Sequence, residues 1–239
     1  QHLSGKSKLQ KIDKLTKQLS PVGPEFSEPV NDLYISNGFA YVLFNKKIEK
    51  IALATESVET INLPERVVSS SLYANPAGTI YVSDSGTNTI IKAKLPDYAE
   101  TKVAGTGKIS GLPGDGGLPE NGMLSLPSGI TIDATGNIFI SDTANQRIRK
   151  IYSQDKKIGT FTYQAGRIYT IAGTGAAGFS GDSSQALAAE LKNPKGITTD
   201  NNGNIYFADR ENNRIRKLSF GIVQLPACTE GNGWDCSTG

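Results

Sequence analysis

The sequence predicts an all-β fold of several similar small sheets, and three observations lead to that prediction. Residues 126–151 are repeated as residues 193–218, with equivalent positions such as Pro127 and Pro194 always 67 residues apart. A fixed spacing of this kind indicates a repeat architecture. Each copy contains three short strand-like runs, and the middle run has apolar residues at consecutive positions. Both faces of that strand should be buried, as happens when one small sheet packs between two others in a β-propeller.

Each copy should form the first three strands of one propeller blade. In the copy at residues 126–151, the turn between the first two strands contains Gly136, which tolerates a positive φ. The predicted strands are residues 130–132, 138–141 and 147–151.

Two weaker copies lie upstream, at residues 31–50 and 73–92. In the first of them Phe44 stands where every other copy has an aspartate, so the turn chemistry cannot be the same in all blades. The aspartates at the equivalent position are Asp84, Asp142 and Asp209.

The N-terminal segment, residues 1–30, has two interpretations. Leu9, Ile12, Leu15 and Leu19 have near-helical spacing, which indicates a basic amphipathic helix. Residues 7–12 also align with residues 213–218, which would make them the third strand of a blade. We favour the strand interpretation, with third strands starting near residues 8, 47, 89, 147 and 214.

That choice decides whether the ring can close. It gives four recognisable blades plus an N-terminal half blade. An incomplete ring would leave sheet edges open, so we expect further blades upstream or on another chain. A closed four-bladed ring with an N-terminal helix is the alternative.

Long Gly-rich inserts separate the later blades. They occupy residues 103–117 and 171–182, and the stretch after the second insert, residues 183–191, reads as a short helix with serine caps. Residues 152–167 should form an enlarged hairpin between the third and fourth strands of one blade. Residues 173–178 satisfy G-x-G-x-x-G, but no helix follows them, so a dinucleotide site is not predicted.

The patterns P-x-G-I, D-x-x-G-N-I-Y and A/S-D-x-x-N-x-R-I-R-K together resemble the NHL repeat, one blade of a β-propeller. The inserts, with A-G-T-G followed by G-D, are similar to those of bacterial members. We therefore expect propeller blades over residues 31–226 and a separate Gly-rich tail over residues 227–239. The resemblance also implies that enzymatic members depend on histidines, whereas the only histidine here is His2.

The turns between second and third strands should lie at the same end of the propeller as the inserts. Loops on a rigid scaffold usually carry recognition, so this end is the predicted binding surface. For its repeated aspartates we favour a structural role, in which they accept N–H groups of their own turns while the arginine stems pack along the next blade. The candidate surface residues are Asp142, Asn145, Arg147, Asp209, Asn212, Arg214, Lys108 and Phe179.

Composition limits the other possibilities. The 239 residues carry a net charge of +2, so no global field favours nucleic acid, and no run is long enough to span a bilayer. Basic residues of the third strands could bind RNA, but strand alternation sends them to different faces. Cys228 and Cys236 could form a disulfide in an oxidising compartment. Asp115 and Asp182 are weak calcium candidates, because calcium needs only oxygen ligands.

The sequence thus favours a non-enzymatic binding or scaffolding propeller with a protein or glycan partner. We expect it at an extracellular, periplasmic or cell-surface location in a bacterium, with no bound cofactor. The alternatives are a calcium-dependent, lactonase-like hydrolase and an RNA-binding NHL domain.

Overall fold

The computed structural model describes residues 7–64, 68–94, 99–107 and 114–219. These residues form antiparallel sheets that stack in chain order as the blades of a β-propeller, which confirms the predicted fold class. Lys108, Cys228 and Cys236 lie outside this part of the chain. Within it, no helix is long and apolar enough to cross a membrane.

A two-stranded half blade comes first. Its strands are β1 (Ser7–Ile12) and β2 (Leu19–Phe26). Asp13 ends β1, because its Oδ1 accepts the N–H groups of Leu15 and Thr16 at 2.9 and 2.7 Å and turns the chain back. Leu15 is 92% exposed in that turn, so the apolar residues do not form one helical stripe and the helical interpretation is wrong.

Two four-stranded blades follow. Blade one consists of β3 (Asp32–Ser36), β4 (Phe39–Leu43), β5 (Lys47–Ala52) and β6 (Val58–Asn62). Blade two consists of β7 (Ser69–Ala74), β8 (Thr79–Asp84), β9 (Thr89–Lys94) and β10 (Ala99–Ala104). Phe44, the departure from the aspartate pattern, is buried and packs edge-on against Phe26 of the half blade, with ring centroids 5.2 Å apart.

Blades three and four contain the two strongest repeats. Blade three consists of β11 (Pro127–Ile132), β12 (Ile138–Asp142), β13 (Arg147–Ile151) and, after the hairpin of β14 (Lys156–Ile158) and β15 (Phe161–Tyr163), the outer strand β16 (Ile168–Ala172). Three strands of blade four are described: β17 (Pro194–Thr199), β18 (Ile205–Asp209) and β19 (Arg214–Leu218). The enlarged hairpin predicted at residues 152–167 is therefore present.

The hydrophobic core is a series of layers between neighbouring blades. Leu43 and Ile48 of blade one pack with Leu72 and Ile80 of blade two, and Ile148 of blade three packs in the same layer as Phe207 of blade four. Every residue of β12 is buried, as predicted. The described part of blade four is covered on one face only: Ile148 is 0% exposed, whereas Ile215, its equivalent, is 73% exposed.

The helix predicted at residues 183–191 is absent and only a 3-10 turn, Ala186–Ala188, forms there. The backbone carbonyls of this segment instead accept hydrogen bonds from the second insert. Gly173 and Thr174 donate their N–H groups to the carbonyls of Ala186 and Ala189 at 3.0 and 2.9 Å. These bonds fasten the segment to the insert, so its local helix propensity does not decide the structure.

Candidate functional site

The buried aspartate at the end of β12 organises the turn predicted as a surface feature. Oδ1 of Asp142 accepts the N–H of Ser125 at 2.7 Å, and Nδ2 of Asn145 donates to both carboxylate oxygens at 3.0 and 2.9 Å. Nη1 of Arg149 lies 3.2 Å from Oδ2. Burial raises the pKa of the Asp142 carboxyl, while these hydrogen bonds and the arginine charge act to lower it. The turn closes at Gln146, which has a left-handed backbone with φ of 54°.

Blade four repeats this arrangement. Oδ1 of Asp209 accepts the N–H of Lys192 at 2.7 Å, and Oδ2 accepts from Asn212 at 2.9 Å and from Arg216 at 3.4 Å. Asp84 of blade two plays a similar part without an arginine. Asp142 and Asp209 are fully buried. We therefore assign them to the scaffold, because a carboxylate that is buried and bonded inside the protein cannot contact a partner.

The same arginines connect each blade to an insert. Nη2 of Arg149 lies 2.7 Å from Oδ1 of Asp115 in the first insert, and Nη2 of Arg216 lies 2.7 Å from Oδ1 of Asp182 in the second. Both calcium candidates therefore face a guanidinium group. In the described ranges, no three histidine, cysteine or acidic side chains come together to hold a metal ion.

Arg147 and Arg214 are the arginines singled out from the sequence, whereas those that pair with the buried aspartates are Arg149 and Arg216. Arg147 lies opposite Asp142 in the strand register, but its Nη2 donates to the carbonyl of Thr174 at 2.7 Å. The ion pair falls to Arg149, two residues further along the same strand face. The G-D step common to both inserts was the available signal, since it places an acid opposite each of these arginines.

The exposed part of this end belongs to the second insert and the last turn. The guanidinium of Arg214 lies over the ring of Phe179, 3.7 Å from its centroid. Phe179 is 42% exposed. Nδ2 of Asn212 fixes the loop beneath by donating to the carbonyl of Gly178 at 2.7 Å. The structure thus brings Phe179, Asn212 and Arg214 together as one surface, here called the insert surface.

The basic residues of the third strands do not form one patch. Arg149 and Lys150 are buried in blade three, whereas Arg214 and Lys217 are exposed in blade four. Burial also lowers the pKa of Lys150 to about 8. A phosphate backbone needs several accessible cations along one path, and this arrangement does not supply them.

Comparison with known proteins agrees with the repeat seen in the strands. The family model described as the NHL repeat matches residues 124–151 and 191–218, which correspond to blades three and four. The chain contains NHL repeats. The sequence resemblance is thereby confirmed, and the two segments with the buried Asp–Asn–Arg arrangement are the segments that match.

The proteins to which this chain is similar are distant and longer. Protein SUPPRESSOR OF QUENCHING 1, chloroplastic, from Arabidopsis thaliana is 26% identical over 172 residues, which is 66% of this chain and 15% of that protein. A solved structure from Bacteroides thetaiotaomicron, described as a structural genomics protein of unknown function, is 20% identical with a TM-score of 0.66. The alignment covers 88% of this chain and 53% of that one.

A second solved structure from Bacteroides thetaiotaomicron is an auxiliary nutrient binding protein, 19% identical with a TM-score of 0.61, covering 85% of this chain and 50% of that one. A streptogramin B lyase is 20% identical with a TM-score of 0.50, covering 82% and 54%. At these identities the likeness establishes the propeller fold. The chain spans about half the length of these solved structures.

Proposed function

We propose that this NHL propeller is a non-enzymatic binding module that presents its insert-bearing end to a protein or glycan partner. The observation that carries the proposal is the pair of arginine bridges, Arg149 to Asp115 and Arg216 to Asp182, which fasten both inserts to the blades. Loops that are already ordered lose little conformational entropy when a partner binds. The bridges therefore suit a recognition surface.

The insert surface has the chemistry of a contact site. Phe179 and Arg214 form an exposed aromatic–cation pair, and residues of these two types are enriched at the centres of protein interfaces. Contact between the apolar ring of Phe179 and water is unfavourable, and a bound partner would bury that ring.

Likeness to an auxiliary nutrient binding protein supports a binding role, although the fold alone does not determine function. The same fold in a streptogramin B lyase shows that propellers of this kind also host enzymes. We favour binding because the aspartates described above at the insert-bearing end of blades three and four each pair with Arg149 or Arg216. We also propose that the module acts outside the bacterial cytoplasm.

The test is a binding screen of the purified chain against an array of glycans and a display library of peptides. We expect a reproducible ligand whose affinity falls at least about tenfold in Phe179→Ala or Arg214→Ala. Asn202→Ala is the matched control, because Asn202 is exposed in the turn that joins β17 and β18, at the opposite end of the blade. The binding role fails if no ligand appears, and the insert surface is excluded as the site of any ligand that binds all three variants equally well.

We further propose that the open face of blade four receives another blade. Between existing blades, Oδ1 of Asn88 accepts the N–H of Leu126, and Oε1 of Gln146 accepts the N–H of Asn193, at 2.8 and 2.7 Å. The equivalent residue in blade four is Asn213, whose side chain makes no hydrogen bond among the described residues.

Light scattering tests this second proposal. Because the described residues leave Ile215 of this face 73% exposed, the chain should self-associate as its concentration rises, and Ile215→Lys should reduce that association. A wild-type chain that stays monodisperse and monomeric over the whole range would contradict it.

A further inference from the structure

Blade three carries an addition that the propeller itself does not need. In blade one, residues 53–57 join the third and fourth strands. In blade three the corresponding connection contains the β14–β15 hairpin, which brings two aromatic rings onto the outer strand. Tyr163 packs edge-on to Tyr169 with ring centroids 4.9 Å apart, and Phe161 packs against Tyr163 at 4.8 Å.

A groove of about 610 Å³ runs between this hairpin, the outer strand β16, the first insert and Leu187. Phe161, Tyr163 and Tyr169 supply its apolar lining, while Asp115, Gln164 and Thr170 supply polar groups. Phe161 is 54% exposed although it belongs to an otherwise well-packed aromatic cluster. Pockets of this size with aromatic walls and a few polar groups are typical ligand sites.

The carboxylate of Asp115, at the groove, is fixed by hydrogen bonds from the blade. Oδ1 of Asp115 accepts Nη2 of the buried Arg149 at 2.7 Å and the hydroxyl of Thr170 at 3.1 Å. Oδ2 accepts no hydrogen bond from the described residues, and the side chain is 41% exposed. The groove therefore contains a carboxylate that is held in place through Oδ1 and can accept further hydrogen bonds through Oδ2, beside an aromatic wall.

The first insert also closes the edge of the blade beside the groove. The N–H of Gly116 donates to the carbonyl of Ile168 at 2.8 Å, and the N–H of Ile168 donates to the carbonyl of Gly117 at 3.2 Å. A Cβ at position 116 would lie 3.7 Å from the ring of Tyr169. The absence of a side chain there keeps the path to the aromatic ring open.

We propose that this groove binds a neutral glycan, with a sugar ring against the exposed ring of Phe161 and with the sugar hydroxyl groups bonded to Asp115, Thr170 and Gln164. A pyranose combines a C–H face, whose partial positive charge suits the negative face of an aromatic ring, with hydroxyls that donate to a carboxylate. Among the described residues, those that line the groove include neither lysine nor arginine, so they offer an anionic ligand no counter-charge. The inference rests on the proposed binding function and names its ligand class.

The test is calorimetric titration of the chain with neutral hexasaccharides of glucose, mannose, galactose and xylose. At least one should bind, and Phe161→Ala should weaken that binding by about tenfold or more, the loss of one stacked ring. Asp115→Asn should also weaken it. The matched controls are Phe179→Ala, which removes an exposed ring elsewhere, and Asp182→Asn, which alters the equivalent acid in an insert that lacks the hairpin.

The outcomes separate this inference from the broader proposal. Binding that falls in the groove variants and stays within about twofold in the controls supports a glycan groove. Sugar binding lost in Phe179→Ala but kept in Phe161→Ala overturns the groove and retains a binding module at the insert surface. The absence of any sugar binding, together with a peptide ligand at the insert surface, also overturns the groove alone. No binding of either kind overturns both.

Discussion

Nη2 of Arg149 lies 2.7 Å from Oδ1 of Asp115, although 34 residues separate them in the chain. The guanidinium group is fully buried and also bonds Asp142. The Arg149 side chain therefore connects β12 and β13 of blade three to the first insert. Because Arg216 repeats the arrangement in blade four, the two inserts are anchored independently.

Replacing the buried arginine should cost much of the stability of blade three. Arg149→Met leaves the buried carboxylate of Asp142 without its counter-charge, and breaking a buried pair in this way typically costs about 3–5 kcal/mol. Urea denaturation followed by circular dichroism measures the loss. Arg147→Met, which removes a half-buried arginine bonded to a carbonyl, is the control and should cost much less. Equal costs would contradict the role given to Arg149.

A glycine pair tests the packing between blades. A Cβ at Gly129 would collide with the carbonyl oxygen of Lys195 in the next blade, whereas one at the equivalent Gly196 would meet nothing within 4 Å. Gly129→Ala should therefore destabilise by about 1–3 kcal/mol, the usual cost of overpacking. Gly196→Ala should be nearly neutral in the same denaturation experiment. If both variants lose equal stability, the blades do not pack as described.

Lys150 should make stability depend on pH in the alkaline range. Burial lowers its pKa to about 8, while an unfolded lysine titrates near about 10.4. Between these values the unfolded chain binds more protons than the folded one, so the free energy of unfolding rises with pH. Wild-type protein should gain stability relative to Lys150→Met between about pH 8 and about pH 10.

The control for that experiment is Lys217→Met, because Lys217 is the exposed equivalent in blade four. The stability difference between wild type and Lys150→Met should change more with pH than the difference between wild type and Lys217→Met. A Lys150→Met difference that stays constant with pH would show that Lys150 titrates normally.

The positions of the strands were predictable because the same residue pattern recurs at the same place in each blade. The five third strands all begin within one residue of the predicted positions, since the R-I-R-K pattern and its relatives mark the same place in each blade. The strand at residues 7–12 was predicted in the same way, because these residues align with residues 213–218. That alignment was a better guide than the near-helical spacing of the apolar residues.

The features that were predicted wrongly or missed are those that depend on contacts between residues distant in the sequence. Residues 183–191 look helical, yet their backbone groups bond to the insert. The pairing of Asp142 with Arg149 was not predicted, because it depends on how the acid of the first insert folds back onto the blade. The aromatic groove was missed for a similar reason, because a hairpin brings Phe161 and Tyr163 to Tyr169 without any periodic signal in the sequence.

Hydrogen exchange of the two inserts tests the anchoring most directly. Amides that report on it are Gly116 in the first insert and Gly173, Thr174 and Gly178 in the second, each bonded to a backbone carbonyl. We expect Arg149→Met to accelerate exchange at Gly116 and leave the second insert nearly unchanged, and Arg216→Met to do the reverse. Exchange in both inserts that matches wild type in both variants would contradict the claim that these arginines hold the inserts in place.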